Sequence, residues 1–356
     1  MPDILARTLA AISPVDVTLR KKAQARLDSL TKPRGSLGRL EEAAARLFCI
    51  AGGKPPTVDP ARIHTFAGDH GVTEEGVSPF PREVTRQMVA NFLAGGAGVN
   101  VLARTAGVEL VVVDAGCAGG DFPAHASLVS AKVMPGTNNL AKGPAMTVAQ
   151  CQAAVEVGIG LADKAAARGV RCLGMGEMGI GNTTPSTALC CAYLGFTPLE
   201  VAGPGAGLDP AGVRRKAEVV RQALWANDAA VSEGDPLGIL AALGGLEIAA
   251  LTGLALGAAA NRLPLVVDGF ISTAAYVAAW KMHQDVADYA FFSHASAEPG
   301  HALVMEALGA DPLLHLDMRL GEGTGAAMAI FVLRCAAAIF SEMATFEKAG
   351  VSGRTG

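Results

Sequence analysis

The sequence predicts an α/β protein whose parallel sheet is covered by helices on both faces. Two observations lead to this prediction. Short, continuous apolar runs alternate with segments of helical length, as expected for buried parallel strands. The composition, with 43 glycines and 51% hydrophobic residues, suits a closely packed enzyme with many glycine turns. At 356 residues the chain is long enough for one large domain or two modest ones.

The N-terminal part of the chain is predicted to be helical. Ser13 and Pro14 have the pattern of a cap followed by a proline in the first turn, and a charged run then leads to Leu30. Ser36 opens a second predicted helix, which Gly52-Gly53 ends. A basic loop with the sequence TKPRGSLGRLE lies between the two helices.

Strands are predicted from about residue 61 onward, each followed by polar or glycine-rich residues. The predicted strands are RIHTFA (62–67), ELVVVD (109–114), VRCLG (170–174), LPLVVD (263–268), YAFFS (289–293) and LLHLD (313–317). In an open parallel sheet, ligands bind beyond the carboxyl ends of the strands. The sequence therefore predicts a functional site at that edge of the sheet.

Charge, cysteine content and hydropathy limit the classes of function. The net charge of −4, without a basic cluster, and the 5% aromatic content argue against nucleic acid as a partner. The seven cysteines show no CxxC spacing and the N-terminus has no signal-like apolar core, so we expect a cytoplasmic protein. The long apolar stretch 237–260 is broken by Gly244-Gly245 and carries Glu247, so we expect a buried helix pair rather than a membrane span.

A glycine-rich segment, GMGEMGIGNTTP (174–185), follows the third predicted strand and precedes a predicted helix. Such a turn brings a phosphate close to bare backbone and to the free N–H groups of a helix N-terminus. The GxGxxG pattern alone is weak, and a glycine turn without a ligand is the alternative. Glu177 would repel a pyrophosphate, so the segment suits one phosphate with a sugar hydroxyl or a cationic ring beside it.

A second glycine loop, GPGAGLD (203–209), precedes the basic residues Arg214, Arg215 and Lys216. A solvated helix face explains these charges as well as a function does. The functional alternative places Lys216 close to a phosphate.

The segment that follows the first predicted strand, residues 68–88, is long for an ordinary crossover. Pro79 and Pro81 keep it extended before a helix that is expected to start near Arg82. The segment could form the wall of a pocket for a flat ring, with Phe80 and Met88 among its lining residues. A structured loop without a ligand is the alternative.

His294, Glu298 and His301 have a spacing that would suit zinc on a single helix. Pro299-Gly300 interrupts that helix, and no further Asp or Cys lies nearby in the sequence. We therefore expect no metal site, and expect His294 and Ser293 to shape the edge of a pocket.

Glu322 is the one charged residue in LGEGTGAAMAIF (320–331), at the predicted start of a helix. An acid in the first helical turn gains up to about 1 kcal/mol from the helix dipole. That effect explains the acid but not the glycines at 321, 323 and 325. A carboxylate surrounded by bare backbone leaves room for a ring and could accept a proton from a ring N–H.

Seven of these stretches together resemble the nicotinate-nucleotide–dimethylbenzimidazole phosphoribosyltransferase family. They are KPRGSLGRLE, GDHGVTEEGVS with NFLAGGAGVNVLAR, GMGEMGIGNTT, GPGAGLD, DGFISTAA, SHASAEPGH and LDMRLGEGTGAA, in this order between residue 32 and about residue 327. Several are long and specific to the family, and the resemblance covers nearly the whole chain.

The resemblance implies a Rossmann-like parallel sheet flanked by helices, with a small helical domain formed by residues 1–60 and 326–356 beside a large domain of residues 61–325. It implies a homodimer, and transfer of the phosphoribosyl group of nicotinate mononucleotide to 5,6-dimethylbenzimidazole in cobalamin biosynthesis. This reaction needs neither a metal nor a redox cofactor, because the nicotinate of the nucleotide is a pyridinium and already a good leaving group.

The resemblance also implies roles for individual residues. The catalytic base falls on Glu322. The phosphate and ribose contacts fall on Gly176, Glu177, Gly179, Gly181, Asn182, Thr183 and Lys216. The pocket for the acceptor base draws on Ser78, Phe80, Gln87, Met88, Ser293 and Leu320.

Two other functions compete with this one. An NAD-dependent dehydrogenase would use Gly174 to Gly179 as its fingerprint and Glu200 as the acid that binds the ribose. Against it, Glu177 lies in the cradle and the pattern follows the third predicted strand instead of the first. A non-catalytic nucleotide-binding subunit would bind the phosphate ligand without turnover.

Overall fold

The strands form one six-stranded parallel sheet in the computed structural model, which describes residues 3–352. They are β1 (Ala61–Gly68), β2 (Glu109–Gly116), β3 (Leu128–Ser130), β4 (Cys172–Met178), β5 (Leu265–Val267) and β6 (Ala290–Phe292). Their order across the sheet is β3-β2-β1-β4-β5-β6, and each neighbouring pair is parallel. The predicted Rossmann-like parallel sheet is confirmed. Strands β1 to β3 follow one another toward one edge of the sheet, and strands β4 to β6 follow one another toward the other edge. The order of the strands therefore reverses between β1 and β4, where such folds open a ligand crevice.

Sixteen α-helices are present in residues 3–352. They are α1 (Ile4–Ala11), α2 (Leu19–Asp28), α3 (Arg39–Ile50), α4 (Val84–Ala94), α5 (Gly98–Ala106), α6 (Val148–Ala167), α7 (Thr183–Leu194), α8 (Pro198–Val201), α9 (Pro210–Ala226), α10 (Asp228–Glu233), α11 (Pro236–Leu243), α12 (Leu246–Ala260), α13 (Phe270–Met282), α14 (Pro299–Leu308), α15 (Thr324–Glu342) and α16 (Phe346–Ala349). Short 3-10 helices cover Gly71–Glu75 and Gln284–Asp288.

The centre of the sheet is the most buried part of the fold. All eight residues of β1 are buried, and β1 pairs with β2 on one side and with β4 on the other. A strand covered on both faces has no solvent side, which explains why its sequence reads as a continuous run and not as an alternation.

The apolar stretch 237–260 forms the predicted buried helix pair, α11 and α12, with Gly244-Gly245 between them. All but one of the residues of α12 are buried, including Glu247, whose Oε1 lies 2.6 Å from Nε2 of His70. Among residues 3–352, only α15 is long and apolar enough to cross a membrane, with a mean hydropathy of 1.7. It packs against α3, α5 and β4, so its apolar face contributes to the protein core.

The structure differs from the prediction in two strands. Residues 313–317 form no strand, only an isolated bridge between His294 and Leu314, because the chain passes β6 at the sheet edge without a sustained ladder. The edge strand β3 was missed, because its three residues are too short to give a period.

Three helix starts are also corrected. The helix expected at Ser13-Pro14 begins at Leu19, the helix expected at Ser36 begins at Arg39, and the helix expected near Arg82 begins at Val84. In each case a turn comes between the capping signal and the first regular helical turn. The division into a small domain (1–60 with 326–356) and a large domain (61–325) stays a prediction.

The helices α6 and α12 approach each other closely through glycines. A Cβ on Gly158 would overlap the carbonyl oxygen of Ala250, and a Cβ on Gly253 would overlap the carbonyl oxygen of Val155. By contrast, a Cβ on Gly160, two residues from Gly158 on α6, would have no heavy atom within 4 Å.

This contact predicts opposite effects for two alanine substitutions on one helix. Gly158→Ala should lower the free energy of unfolding by about 2 kcal/mol or more, because the clash involves backbone that cannot turn aside. Gly160→Ala should leave it unchanged or raise it by about 0.5–1 kcal/mol through helix propensity. Urea unfolding of the two variants measures both, and equal stabilities would contradict the packing described here.

Candidate active site

A cavity of about 440 Å³ lies at the carboxyl edge of the sheet. Met178 at the end of β4, Gly269 after β5 and His294 after β6 line it, and α4 adds Val84. The site was predicted at this edge. Of the residues expected in the site, those that line the cavity are Phe80, Met88, Glu177, Gly179, Asn182, Thr183, Leu320 and Glu322. Those that do not are Ser78, Gln87, Gly176, Gly181, Lys216 and Ser293.

A second cavity, of about 330 Å³, lies beside α3 and β6. Two of its three arginines are bonded to main-chain carbonyl oxygens of the protein itself. Arg46 donates to the carbonyl oxygen of Ala290 at 2.6 Å, and Arg39 donates to that of Asp311 at 2.6 Å. These bonds satisfy carbonyl groups beside the edge strand, so this second cavity is not our candidate for the active site.

Glu322 lies in a left-handed loop that the tertiary structure fixes. Its φ is +65°, and Gly321 and Gly323 on either side have φ values of +82° and +100°. The main-chain oxygen of Glu322 accepts a hydrogen bond from the hydroxyl of Thr65 on β1 at 2.7 Å. A non-glycine residue in this conformation is uncommon, and strain of this kind is found at functional sites.

The carboxylate of Glu322 is buried but retains one good donor. Only 5% of the residue is exposed, and Oε2 accepts the N–H of Val99, in the first turn of α5, at 3.1 Å. Burial raises the pKa of Glu322, and the bond from Val99 opposes that rise. A carboxylate with a raised pKa is a stronger base than one in water, which suits it to accept a proton.

The glycines around Glu322 serve a purpose that the sequence did not reveal. A Cβ on Gly321 would overlap Oε1 of Glu177, and a Cβ on Gly176 would overlap the carbonyl oxygen of Glu322. The loop and β4 therefore touch through bare backbone. The room that we expected the glycines to leave for a ring is in part taken up by β4 itself.

Asp268 holds this loop from below and was missed among the site residues. Its carboxylate accepts the N–H of Gly323 at 3.1 Å and the N–H of Ala326 at 2.9 Å, at the N-terminus of α15. Burial raises its pKa to about 7, against the effect of these backbone bonds. An acid at the end of a predicted strand and followed by glycine was the available signal.

The prediction of a glycine-rich turn is wrong for the first half of the segment. Gly174, Gly176 and Glu177 belong to β4, and the turn itself is confined to the residues between Met178 and Thr183. A Cβ on Gly174 would lie 2.7 Å from Cγ1 of Ile63. The first two glycines of the pattern therefore make room for neighbouring protein atoms, not for a phosphate.

Glu177 faces the cavity from the end of β4 and is an unusual acid. The side-chain amide of Asn182 donates a hydrogen bond to its Oε2. Burial raises its pKa to about 8, despite that bond, and the nearby carboxylates of Asp268, Glu247 and Glu322 raise it further. At neutral pH Glu177 therefore carries a proton for most of the time, and it can donate a hydrogen bond as well as accept one.

Lys216 lies behind the cavity wall, and it is separated from the two arginines before it. Arg214 and Arg215 are exposed, whereas Lys216 is 1% exposed. Its Nζ donates to the hydroxyl of Thr183 at 2.9 Å and to the carbonyl oxygen of Gly203 at 2.8 Å. Burial lowers its pKa to about 8. A buried cation beside the N-terminus of α7 makes this end of the cavity suitable for an anion.

The other end of the cavity is apolar. Phe80 and Leu320 line it and are 48% and 60% exposed, and Met88 and Val84 extend the apolar lining on α4. Gln87 is exposed on the same helix and does not line the cavity, because the neighbouring residue Met88 occupies the inward position.

The hydroxyls of Ser78 and Ser293 form hydrogen bonds with neighbouring protein groups behind the surface of the cavity. The hydroxyl of Ser78 accepts the N–H of Phe80 at 3.2 Å and so shapes the loop. The hydroxyl of Ser293 donates to the carbonyl oxygen of Asp268 at 2.9 Å and lies 2.9 Å from Nδ1 of His294. No group of three metal-binding side chains is found in residues 3–352.

The fold and the cavity together define a class of protein. A doubly wound parallel sheet presents, at its carboxyl edge, a buried cation beside a helix N-terminus, apolar side chains and a buried carboxylate on a fixed loop. This combination of features is typical of an α/β enzyme that acts on a phosphorylated small molecule and a flat ring by general-base chemistry.

Comparison with known proteins gives the family. The family model described as "Phosphoribosyltransferase" matches residues 12–351. The chain is 63% identical over 349 residues to the nicotinate-nucleotide–dimethylbenzimidazole phosphoribosyltransferase of Nitratidesulfovibrio vulgaris strain DP4, covering 98% of both chains. It is also 63% identical to the enzyme of the same name from Solidesulfovibrio magneticus, covering 99% of both.

A solved structure agrees with these relatives. The crystal structure of CobT from Thermus thermophilus superposes with a TM-score of 0.89 at 45% identity, covering 95% of this chain and 100% of that one. The chain belongs to the nicotinate-nucleotide–dimethylbenzimidazole phosphoribosyltransferase family.

The dehydrogenase alternative is not supported. Two glycines of its supposed fingerprint, Gly174 and Gly176, lie within β4. Glu200, the supposed ribose-binding acid, is exposed and caps α8 by accepting the N–H of Thr197 at 2.8 Å.

The raised pKa of Glu177 predicts how stability depends on pH. Between the ordinary carboxyl pKa of 4.5 and about 8, the unfolded chain loses this proton while the folded protein keeps it, so the group reduces stability increasingly as pH rises. The free energy of unfolding of Glu177→Gln, taken relative to that of the wild type, should therefore be higher at about pH 8 than at about pH 5. The increase should be up to about 1.4 kcal/mol for each pH unit between the two measurements. Urea unfolding at the two pH values measures this difference.

An exposed acid provides the control for that experiment. Glu306 on α14 is exposed, and Glu306→Gln reports the effect of removing a surface charge alone. A Glu177→Gln advantage that is the same at both pH values would contradict the raised pKa.

Proposed function

We propose that this chain transfers the 5-phosphoribosyl group of nicotinate mononucleotide to 5,6-dimethylbenzimidazole, giving α-ribazole 5′-phosphate and nicotinate in cobalamin biosynthesis. The observation that carries the proposal is the buried carboxylate of Glu322, which is held on its loop and lines the same cavity as the apolar residues Phe80 and Leu320 and the N-terminus of α7. The names of the relatives, which match the whole chain, support the same reaction.

The chemistry follows from the substrates. A ring nitrogen of the benzimidazole attacks C1′ of the ribose from the face opposite nicotinate, so the new C–N bond forms as the bond to the pyridinium breaks. The electron pair of the broken bond leaves with nicotinate, and the configuration at C1′ changes from β to α. The other ring nitrogen then loses its proton, which Glu322 accepts and passes to water when the product leaves.

Glu322 assists this step in two ways. General-base assistance of this kind typically accelerates a reaction by 10²–10⁴-fold, or roughly 3–5 kcal/mol. Its negative charge also favours the cationic ring that forms during attack. The Val99 and Thr65 bonds keep the carboxylate and its loop in place, so little reorganisation is needed at the moment of reaction.

The phosphate and ribose are assigned to the polar end. Lys216 and the N-terminus of α7, with Asn182 and Thr183, support binding of the 5′-phosphate. Glu177, which holds its proton at neutral pH, supports a hydrogen bond to a ribose hydroxyl. Gly179 lines this end of the cavity. Gly176 and Gly181 do not line it, and they contribute by letting the backbone of β4 and of the following turn take its course. Phe80, Met88 and Leu320 form the slot for the acceptor ring.

Two acid-to-amide substitutions distinguish these roles. Glu322→Gln should lower kcat by at least about a hundredfold, because the amide cannot take the ring proton. Glu177→Gln keeps an uncharged side chain of the same shape, so it should affect KM for nicotinate mononucleotide more than kcat. Chromatographic detection of nicotinate and α-ribazole 5′-phosphate measures both variants.

The outcome has three informative alternatives. Product formation with an unimpaired Glu322→Gln variant would remove Glu322 from its role but keep the reaction. Nicotinate release only with a different flat acceptor, such as adenine or a phenol, would keep the family chemistry and change the acceptor. Binding of the nucleotide without any turnover would favour the non-catalytic subunit.

We further propose that the enzyme is a homodimer and works in the cytoplasm. Phe80 and Leu320, at the cavity, are large apolar side chains that a single chain leaves exposed, and a second copy would cover them. The cysteines of residues 3–352 all hold free thiols, which suits a reducing compartment.

Sedimentation equilibrium should give twice the mass of the chain at assay concentrations. If a second chain covers the cavity edge, the activity per chain should also fall on dilution, as the dimer dissociates. A monomeric mass at full specific activity would contradict the dimer.

A further inference from the structure

The carboxylate of Glu298 is a buried charge that the proposed mechanism does not use. The residue precedes α14, is 4% exposed and lines the active-site cavity. Neither of its buried carboxylate oxygens has a well-formed hydrogen-bond partner, although the backbone of Gly205 interacts weakly with the carboxylate. An unpartnered buried acid is costly for a protein to keep, so its position calls for an explanation.

Glu298 lies against the second glycine loop, and two cations donate hydrogen bonds to the same loop. A Cβ on Gly203 would overlap its Oε2, so the loop passes directly over the carboxylate. Lys216 bonds to the carbonyl oxygen of the same glycine at 2.8 Å, and Arg319 donates to the carbonyl oxygen of Gly205 at 3.0 Å. Burial raises the pKa of Glu298, whereas Lys216, the Gly205 backbone and Arg319 lower it.

The other elements packed around Glu298 place no further positive charge in the cavity beside its carboxylate. The helices α7, α8 and α13 pack against α14, and their ionisable side chains do not line the cavity; they are Cys190, Cys191, Tyr193, Glu200, Tyr276 and Lys281. Burial lowers the pKa of His294 and holds that of His301 at about 4, so both imidazoles are neutral. Glu322 lines the same cavity and adds negative charge, whereas Glu177 holds its proton at neutral pH.

The proposed function places the phosphate next to this loop, beside Lys216 and Thr183. The end of the cavity near Lys216 and Thr183 would then hold the phosphate dianion and the Glu298 carboxylate together. Two anions a few ångströms apart in a buried site repel by several kcal/mol, and such pairs respond by taking up a proton on one member.

We infer that Glu298 is an internal counter-anion for Lys216 and Arg319, which takes a proton from solvent when a phosphate dianion binds beside it. Binding of the phosphorylated substrate is then linked to proton uptake and weakens as pH rises. This inference rests on the proposed function for the position of the phosphate. The competing role is a permanent counter-ion that stays charged and orients Lys216, which predicts no proton uptake.

Calorimetric titration of the full-length protein with sodium sulfate tests the inference. Sulfate is a dianion that does not itself titrate near neutral pH. The experiment is run at about pH 7, one unit below the pKa of about 8 of Lys216, so that this lysine is mostly charged. Titration in two buffers with different enthalpies of ionisation gives the number of protons taken up. Glu298→Gln and the exposed Glu306→Gln on the same helix are measured beside the wild type.

The wild type and Glu306→Gln should each take up a measurable fraction of a proton more than Glu298→Gln does. Glu298→Gln should bind sulfate about tenfold more tightly, since a like charge has been removed from the site. Its KM for nicotinate mononucleotide should also rise less steeply with pH than that of the wild type. Glu177 and Asp268 are present in all three proteins, so their removal does not contribute to the difference between the variants.

Several results would overturn the inference. These are equal proton uptake by the wild type and Glu298→Gln, sulfate affinity that is unchanged or weaker in Glu298→Gln, and no sulfate binding at all. If the variant does not fold, absence of proton uptake by the wild type alone is sufficient. An active enzyme without this linkage would refute the inference and leave the proposed function intact. Linked sulfate binding without turnover of nicotinate mononucleotide would refute the proposed function instead.

Discussion

The contact between the Glu322 loop and β4 is the constraint on which the active site depends. Three consecutive left-handed residues can be held there only because neither Gly176 nor Gly321 carries a side chain at the contact. The hydroxyl of Thr65 and the carboxylate of Asp268 fasten the loop from β1 and from the end of β5. The position of the proposed base is therefore set by the centre of the sheet, where β1 is buried along its whole length.

Burial raises the pKa of three carboxylates at the cavity and beneath the Glu322 loop. Glu177 and Asp268 have pKa values of about 8 and about 7, and the pKa of Glu322 is raised in the same direction. A pyridinium nucleotide brings positive charge into such a site and a phosphate brings negative charge. Protons on these acids can adjust to each substrate, so one cavity can accommodate both charges without a metal in the proposed chemistry.

The relatives and the geometry of the cavity establish different things about the protein. The relatives give the family for the whole chain, whereas the cavity gives reasons for individual residues. Lys216 illustrates the difference, since the sequence singled it out but left a solvated helix face as an equal explanation of the basic run. Its burial beside Thr183 separates it from the exposed Arg214 and Arg215.

The sequence by itself determined the fold class, five of the six strands and the edge of the sheet where the site lies, because buried parallel strands leave continuous apolar runs and their carboxyl ends leave polar, glycine-rich segments. It also indicated Glu322, a lone acid among glycines. The tertiary structure decided what sequence spacing cannot encode. It brought Asp268 beneath a loop some fifty residues further along the chain, and assigned Gly174 and Gly176 to a strand packed against other protein atoms. It also turned Gln87 outward and Met88 inward. These are contacts between distant segments, and local pattern carries no record of which segments will meet.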